Sequence, residues 1–286
     1  MNAPYEAIVL AAGRGSRLGG QTAAWPKALL PIGPRSKGDA TETSFLRRQL
    51  ELLRDLGVER IVVVVGYMRD RVTTELASWA PWVRFAINPT PEIETSGSLH
   101  SVQFAMRSEH GLFDGTRQTL VMDADIVYHR DVLRRILESP VETTLLACDR
   151  HRSSDEEVLV WGTHDAPRYL GKGLNETLVD GEPLIGEATG IVKFAPADHG
   201  LVRETINWMV GDPDAPDGSL AVSGFGPARR ATEHEELSQR FMRYGRMRCV
   251  TFSGEELPFM EVDASDEYDY LREELYPRIL DMETQE

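Results

Sequence analysis

The sequence predicts an α/β protein with a mixed, mostly parallel sheet and helices on both of its faces. Strand and helix patterns alternate through the first half of the chain, as in parallel sheets crossed by helices. The segment over 60–65 reads RIVVVV, a β-branched run typical of a strand buried on both faces. The second half contains shorter strand patterns separated by Gly and Asp, which predict an antiparallel subregion beside the parallel core.

Each element is predicted from hydrophobic periodicity and turn residues. The first is a strand over 5–10 that leads directly into a Gly-rich loop. The first half then predicts helices over 42–56, 69–79, 96–107 (capped by Ser96 or Ser98) and 129–137, and strands over 60–65, 83–87, 119–122 and 143–148. The second half predicts strands over 157–161, 168–170, 176–179, 188–194, 248–252 and 259–262, helices over 201–210, 232–244 and 265–280, and a surface loop over 211–218.

The composition excludes several classes of protein. The 286 residues include 31 basic and 46 acidic side chains, and the net charge of −15 disfavours nucleic acid and anionic membranes as partners. The two cysteines, Cys148 and Cys249, are too few for a disulfide framework or a cysteine-based zinc site. No signal-peptide pattern and no apolar stretch near the roughly 20 residues of a membrane helix is evident, so we expect a cytoplasmic protein.

Two loops near the N-terminus carry the strongest chemical signal. They read LAAGRGSRLG over 10–19 and PKALLPIG over 26–33. Glycines allow backbone N–H groups to approach a phosphate chain closely, and Arg14, Arg17 and Lys27 can neutralise its charge. A dinucleotide-binding G-x-G-x-x-G motif is excluded, because Leu18 occupies the position of the third glycine.

These motifs resemble the N-terminal signature of the sugar-phosphate nucleotidyltransferase superfamily. The resemblance implies a Rossmann-like fold in which the catalytic groups Arg17 and Lys27 contact a nucleoside triphosphate. The order of the predicted elements favours one three-layer domain over 1–286, with a nucleotide-binding core over 1–150, an acceptor-side subregion over 151–262 and a closing helix over 263–286. The nucleotide would lie against the first loop, formed by Leu10, Ala11, Ala12, Gly13, Arg14 and Gly15.

Carboxylates follow two of the predicted strands. Asp123 and Asp125 end the strand over 119–122, at the edge where a parallel sheet meets its ligand, and carboxylate oxygens suit Mg²⁺. Strand alternation places both on one side; resemblance to the superfamily's D-x-D pattern favours Asp125 for the metal and leaves Asp123 to the nucleotide. Asp263 shares a strand face with Glu261. It resembles the second metal ligand of cytidylyltransferases that act on phosphocholine, phosphonates or inositol phosphate.

The same cytidylyltransferase group supplies expectations for the acceptor. By this resemblance, Lys172 and Lys193 contact the acceptor phosphate or phosphonate, with Lys193 also positioning it for catalysis. Glu187 would order the pocket or hold a cationic head. Ser98 lies in a segment that resembles the one beside the base and ribose, but Ser96 and Gly97 stand where that group more often has Asn, which leaves the recognised base open.

The resulting prediction is a Mg²⁺-dependent transferase that moves CMP from CTP to a small phosphocholine-like or phosphonate acceptor and releases pyrophosphate. Alternatives are a sugar-1-phosphate uridylyl- or thymidylyltransferase, a non-catalytic nucleotide-binding regulatory protein and a glycosyltransferase. Trp161, Trp208 and Tyr128 could cage a quaternary ammonium group, although core packing is the favoured interpretation for each. The sequence does not decide the acceptor or the oligomeric state, so a homo-oligomer stays open.

Overall fold

The structure is a computed structural model that describes residues 4–89, 96–150, 157–211 and 232–285. The strands are β1 (Tyr5–Ala11), β2 (Pro31–Pro34), β3 (Glu42–Ser44), β4 (Arg60–Val65), β5 (Val83–Ile87), β6 (Gln118–Asp123), β7 (Ile126–Tyr128), β8 (Thr144–Cys148), β9 (Leu159–Gly162), β10 (Pro167–Gly171), β11 (Leu184–Phe194), β12 (Arg248–Phe252) and β13 (Phe259–Glu261). The α-helices are α1 (Phe45–Asp55), α2 (Arg69–Glu75), α3 (Ser98–Arg107), α4 (Arg130–Glu138), α5 (His199–Gly211), α6 (His234–Arg243), α7 (Ser265–Tyr270) and α8 (Tyr276–Gln285).

A single large sheet organises the described residues. Its centre is the parallel set β5-β4-β1-β6. The long strand β11 then runs antiparallel to β6, β8 and β9, while β12 adds to β8 in parallel and β10 adds to β9. The predicted mixed, mostly parallel fold is confirmed, and the antiparallel strands extend the same sheet.

Helices cover both faces of this sheet because its central strands are apolar on both sides. Along β4, Ile61 and Val63 pack into one core with the α1 side chains, including Leu50. Val62 and Val64 point into the opposite core, where α3, α5 and α6 pack. The continuous β-branched run therefore occupies the position that its sequence predicts.

The closing helical segment packs at the end of the domain that holds Asp263. It comprises α7, a π-helical turn over Leu271–Leu275 and α8. Tyr268 donates its hydroxyl to the Pro31 carbonyl at 2.6 Å and Tyr276 donates to the Pro34 carbonyl at 2.9 Å, which ties the segment to β2. The start of α7 is thereby held beside the Gly-rich loop.

Several element boundaries differ from the predictions. The first helix begins at Phe45 rather than 42, because Ser44 caps it and residues 42–44 form β3. The predicted strand over 176–179 is wrong: Asn175 starts a turn there, with Leu178 donating to its carbonyl at 2.9 Å.

Two further predictions differ from the structure, and a third falls mostly outside the described residues. The helix predicted over 69–79 ends at Glu75, and a 3-10 turn follows over Ala77–Trp79. Helix α3 begins at Ser98 with Gly97 as its N-cap residue, so neither Ser96 nor Ser98 is the cap. The loop predicted over 211–218 lies outside the described residues from 212 onward.

No helix in the described part of the chain has the length and apolarity to cross a membrane.

Candidate active site

A cleft lies at the carboxyl ends of β1 and β6, where the sheet meets the Gly-rich loop. The structure brings nearly all of the predicted site residues to this cleft, although they span residues 10 to 263 of the sequence. The predicted residues that line it are Leu10, Ala11, Ala12, Gly13, Arg14, Gly15, Arg17, Lys27, Ser98, Asp123, Asp125, Lys172 and Asp263.

The backbone conformation and the close packing at position 15 of the loop both require a glycine. Its φ of +65° lies in the left-handed region, and a Cβ there would sit 2.7 Å from the Lys27 Cβ. The side chain of Lys27 therefore packs directly on the Gly15 backbone, and only 7% of Lys27 is exposed. The first loop and the second loop thus form one unit that aims the Lys27 ammonium into the cleft.

The Lys27 ammonium connects the two predicted metal ligands. Its Nζ donates to Asp125 Oδ2 at 2.7 Å and to Asp263 Oδ1 at 3.0 Å, and Arg17 contacts Asp263 Oδ2 at 3.2 Å. Burial opposes the charged form of Lys27, but the two carboxylates outweigh burial and raise the pKa of Lys27 above its ordinary value. Burial likewise opposes ionisation of Asp263, yet Lys27 and Arg17 hold the pKa of Asp263 below its ordinary value.

Glu261 joins this group as a third carboxylate. Asp125, Glu261 and Asp263 each offer an oxygen, and these oxygens lie within 4.8 Å of one another. An all-oxygen donor set of this kind suits a hard divalent cation, so the residues fit Mg²⁺. Burial, and next the charges of Asp125 and Asp263, raise the pKa of Glu261 to about 8. The E-x-D alternation places Glu261 on the same strand face as Asp263, but the sequence analysis assigned only Asp263 to the metal.

Hydrogen bonds to backbone carbonyls hold the turn that carries Asp123 and Asp125. The buried Gln49 side chain donates to the carbonyls of Asp123 at 2.9 Å and Ile126 at 3.0 Å. Val262 N donates to the Asp125 carbonyl at 3.2 Å, which ties this turn to the segment holding Glu261 and Asp263. Contacts from α1 and from the residue that follows β13 therefore help to position Asp123 and Asp125.

A second polar cluster lies around Asp123 and the start of α6. Asp123 Oδ2 is 3.5 Å from His234 Nε2, and His234 Nδ1 is 3.2 Å from Glu235 Oε2. These three residues line the cleft and each offers a ligand atom within 4.8 Å of the others. Burial, and next the charge of Glu235, raise the pKa of Asp123 well above its ordinary value. Sequence reasoning missed His234 and Glu235, because only the packing of α6 on α3 brings them beside Asp123.

Ser98 links α3 to α6. Its backbone N–H donates to Glu233 Oε2 at 2.8 Å, and its Oγ accepts from the His234 backbone N–H at 2.7 Å. The N-terminus of α3 therefore already holds a carboxylate in the position favoured for an anion. A contact of Ser98 with the nucleotide stays a prediction.

Lys193 lies outside the cleft lining, so the structure does not bring it to the residues expected to bind the acceptor. Its side chain is fully buried, and Nζ donates to the carbonyls of Ile136 and Ser139 at 2.9 Å each. Residue 193 lies in mid-sheet, paired with Leu120 and Thr144, and its side chain satisfies the last carbonyls of α4. Burial lowers the pKa of Lys193 to about 8.

Glu187 also lies outside the cleft lining. It is half-buried on β11, opposite Cys148 in the β8 ladder, so the structure does not bring it to the residues expected to bind the acceptor. Lys172 does line the cleft, and its charge acts on Asp263. Of the three side chains predicted to contact the acceptor, Lys172 is the one that is placed to do so.

The aromatic cage for a quaternary ammonium group does not form. Trp161 packs with Leu174 and Val179, and Tyr128 is 1% exposed within the core. Trp208 lies under the Arg240 guanidinium, 4.7 Å from the ring centroid. Among the described residues that line the cleft, none is a phenylalanine, tyrosine or tryptophan.

Comparison with known proteins agrees with this fold. Among curated proteins, the CMP-5'-(3-aminopropyl)phosphonate synthase of Streptomyces rubellomurinus is 33% identical over 51% of this chain and 21% of that protein. The bifunctional protein GlmU of Streptomyces avermitilis is 36% identical over 79% of this chain and 40% of that protein. The matches therefore span less than half the length of these relatives.

Solved structures show the same fold at low sequence identity. The CTP:phosphocholine cytidylyltransferase of Streptococcus pneumoniae (LicC) has a TM-score of 0.64 at 17% identity, covering 94% of this chain and 98% of that one. The inositol-1-phosphate CTP transferase of T. maritima has a TM-score of 0.63 at 18% identity, covering 96% and 98%. A family model matches residues 7–201, more than half of the chain. The chain belongs to the family described as the MobA-like NTP transferase domain.

Proposed function

We propose that the chain transfers CMP from CTP to a small phosphate or phosphonate acceptor and releases pyrophosphate in a Mg²⁺-dependent reaction. The main support for this proposal is that a phosphate-binding loop and a cluster of carboxylates line the same cleft. The Gly-rich loop with Arg17 and Lys27 offers cationic and backbone donors for a triphosphate. Asp125, Glu261 and Asp263 offer oxygen ligands within 4.8 Å of one another, beside Lys27.

The chemistry requires positioning and charge stabilisation more than proton transfer. An oxygen of the ionised acceptor attacks the α-phosphorus of the triphosphate in line, the new P–O bond forms, and pyrophosphate leaves with the electron pair of the broken bond. The acceptor is already a nucleophile, so no residue is assigned as a general base. Lys27 and Arg17 stabilise negative charge on the phosphates. Asp125, Glu261 and Asp263 would hold Mg²⁺, which supplies further charge neutralisation at phosphate oxygens.

The structure changes which lysine we assign to the acceptor. Lys193 is hydrogen-bonded to the Ile136 and Ser139 carbonyls, outside the cleft lining, whereas Lys172 lines the same cleft as Lys27. We therefore propose that Lys172 binds the acceptor phosphate or phosphonate. Its position beside Asp263 would place the acceptor next to the metal-binding carboxylates.

The choice of CTP is supported by the relatives and by the sequence. One curated relative is named as a CMP-phosphonate synthase, and two solved proteins of the same fold are named as CTP-dependent transferases. The E-V-D segment over 261–263 resembles that of cytidylyltransferases. A sugar-1-phosphate uridylyltransferase is the second candidate, because the GlmU relative matches 79% of the chain.

The test is a matrix of the four nucleoside triphosphates against phosphocholine, alkyl- and aminoalkylphosphonates, inositol phosphate and sugar 1-phosphates, measured by pyrophosphate release. We expect turnover with CTP and a phosphonate or small phosphate. Absence of CTP turnover with every acceptor would contradict the proposal, and UTP turnover with a sugar 1-phosphate would establish the second candidate. As a matched pair, Asp125→Asn should abolish turnover, and Asp281→Asn, at a side chain 57% exposed, should retain it.

A further inference from the structure

We propose that Asp123, His234 and Glu235 form a subsite for a primary ammonium group, so that the acceptor is a zwitterion with an amine on a short spacer. This inference rests on the proposed function, because Lys172 is taken to bind the phosphate or phosphonate end of the acceptor beside the metal-binding carboxylates. It adds a recognition element that the phosphate-binding residues do not supply. The three residues lie on β6 and at the start of α6, and all of them line the cleft.

The number of acceptor atoms matches a primary ammonium, and the atoms lie close enough together for one nitrogen to contact all three. Such a group has three N–H donors, and each of the three side chains offers one acceptor atom, all within 4.8 Å of one another. Three atoms that lie pairwise within 4.8 Å can all be about 2.8 Å from one nitrogen, the usual length of a charge-assisted hydrogen bond, and Asp123 Oδ2 and His234 Nε2 lie 3.5 Å apart. A single nitrogen between the three side chains can therefore reach all of them.

The burial of His234 and its unsatisfied ring nitrogen distinguish this cluster from a group of surface acids. The residue is 3% exposed, it lines the cleft, and its Nε2 has no hydrogen-bond partner in the described part of the chain. Ser98 anchors the other side of the residue, accepting from the backbone N–H at 2.7 Å and lying 3.1 Å from Nδ1. With the Nδ1 proton directed to Ser98 Oγ, Nε2 becomes a fixed acceptor that a ligand donor would satisfy.

The charge balance around this cluster also favours a cationic group. Asp125 and Asp263 are paired with Lys27, and Arg17 adds to Asp263. Within residues 4–89, 96–150, 157–211 and 232–285, neither Asp123 nor Glu235 is paired with a lysine or arginine. Their contacts are with His234 instead. A wholly anionic acceptor would meet this negative charge uncompensated, whereas an acceptor ammonium would offset it.

The position of Asp123 limits the length of the spacer. Asp123 and Asp125 are two residues apart, so their Cα atoms are separated by at most about 7 Å. The ammonium subsite and the metal-binding carboxylates are therefore neighbours, which favours an acceptor whose amine and phosphorus are separated by a short chain. Because no phenylalanine, tyrosine or tryptophan lines the described cleft, a trimethylammonium head, which has no N–H donor, lacks an aromatic cage there.

The experiment compares acceptors that differ only at the amine, using the full chain with CTP and Mg²⁺. The probes are 3-aminopropylphosphonate, propylphosphonate and the trimethylammonium analogue, and the quantity measured is kcat/KM for pyrophosphate release. Charge-assisted hydrogen bonds of the usual strength predict an advantage of about 10- to 100-fold for the amine. Glu235→Gln should reduce the ratio between the amine and the propyl acceptor by about tenfold. Glu204→Gln, at an exposed glutamate on α5, should leave that ratio unchanged.

Each outcome decides the inference. Equal kcat/KM for the amine and propyl acceptors would overturn the ammonium subsite while the proposed cytidylyl transfer stands. If no acceptor turns over, the proposed function fails, and calorimetric binding of the same phosphonates tests the subsite directly. Tighter binding of the amine that Glu235→Gln removes would support it; equal or absent binding would overturn it. Loss of a second Mn²⁺ binding event in Glu235→Gln, with no preference for the amine, would show a metal site and also overturn it.

Discussion

Replacing Lys27 with methionine tests how the cleft balances its charge. The change removes the ammonium that lies 2.7 Å from Asp125 and 3.0 Å from Asp263, and it retains most of the apolar stem that packs on Gly15. Removing one partner of a fully buried ion pair costs about 3–5 kcal/mol. Each carboxylate is 27% exposed, so water recovers part of that energy and we expect a loss of about 2–3 kcal/mol in the free energy of unfolding without metal.

The metal response distinguishes this reasoning from a simple packing defect. Without the Lys27 ammonium, Asp125 and Asp263 lose their shared competitor for Mg²⁺ and Asp263 keeps only the contact with Arg17, so Mg²⁺ should stabilise Lys27→Met more than it stabilises the wild type. The assay is urea unfolding in EDTA and in millimolar Mg²⁺, with Lys37→Met as the control. Lys37 and Asp281 are both more than half exposed, so that control should change stability by at most about 1 kcal/mol. A Lys27→Met protein as stable as the wild type in EDTA, or unresponsive to Mg²⁺, would refute the reasoning.

Three further changes test separate parts of the structure. Gly15→Ala should destabilise the protein by about 1–3 kcal/mol in thermal or urea unfolding and reduce turnover, because the new Cβ would sit 2.7 Å from Lys27 Cβ at a φ of +65°. Gly20→Ala, which has open space around it, is the matched control and should be nearly silent. Gln49→Leu should leave the carbonyls of Asp123 and Ile126 without their donor, costing about 1–3 kcal/mol and lowering kcat, whereas a wild-type kcat would show that this turn needs no such support. The folded-state pKa of Lys193 is lowered to about 8 from 10.5, so the unfolded chain binds more protons between those values and stability rises with pH there. Urea unfolding of the wild type relative to Lys193→Met should show this gain, up to about 3 kcal/mol between pH 8 and 10.5, and a flat difference would contradict the assignment.

The parts of the site that the sequence predicted are those encoded locally. The Gly-rich loop needs a left-handed residue at Gly15, and Asp123 and Asp125 follow directly from the end of a predicted strand. Asp263 was found through the short E-x-D alternation. These features depend on few neighbouring residues, so a pattern in one segment is sufficient to locate them.

The remainder depended on how distant segments pack. Lys193 looked available for a ligand because nothing in its own segment shows that α4 places the Ile136 and Ser139 carbonyls over β11. His234 and Glu235 were missed for the reverse reason, because they join Asp123 only when α6 packs against the start of α3. The antiparallel strands were predicted as an addition beside the core, but their pairing through the long β11 could not be read from their lengths.

The central claim is that the cleft performs Mg²⁺-dependent nucleotidyl transfer through the carboxylates gathered around Lys27. The most direct measurement is pyrophosphate release from CTP with a phosphonate acceptor, titrated with Mg²⁺, for the wild type, Asp125→Asn and Asp263→Asn. We expect turnover that requires Mg²⁺ in the wild type and a loss of about 1,000-fold or more in each variant, the scale of a lost electrostatic contribution of about 4 kcal/mol. Turnover that persists in both variants at the wild-type level and with the same Mg²⁺ dependence would contradict the account.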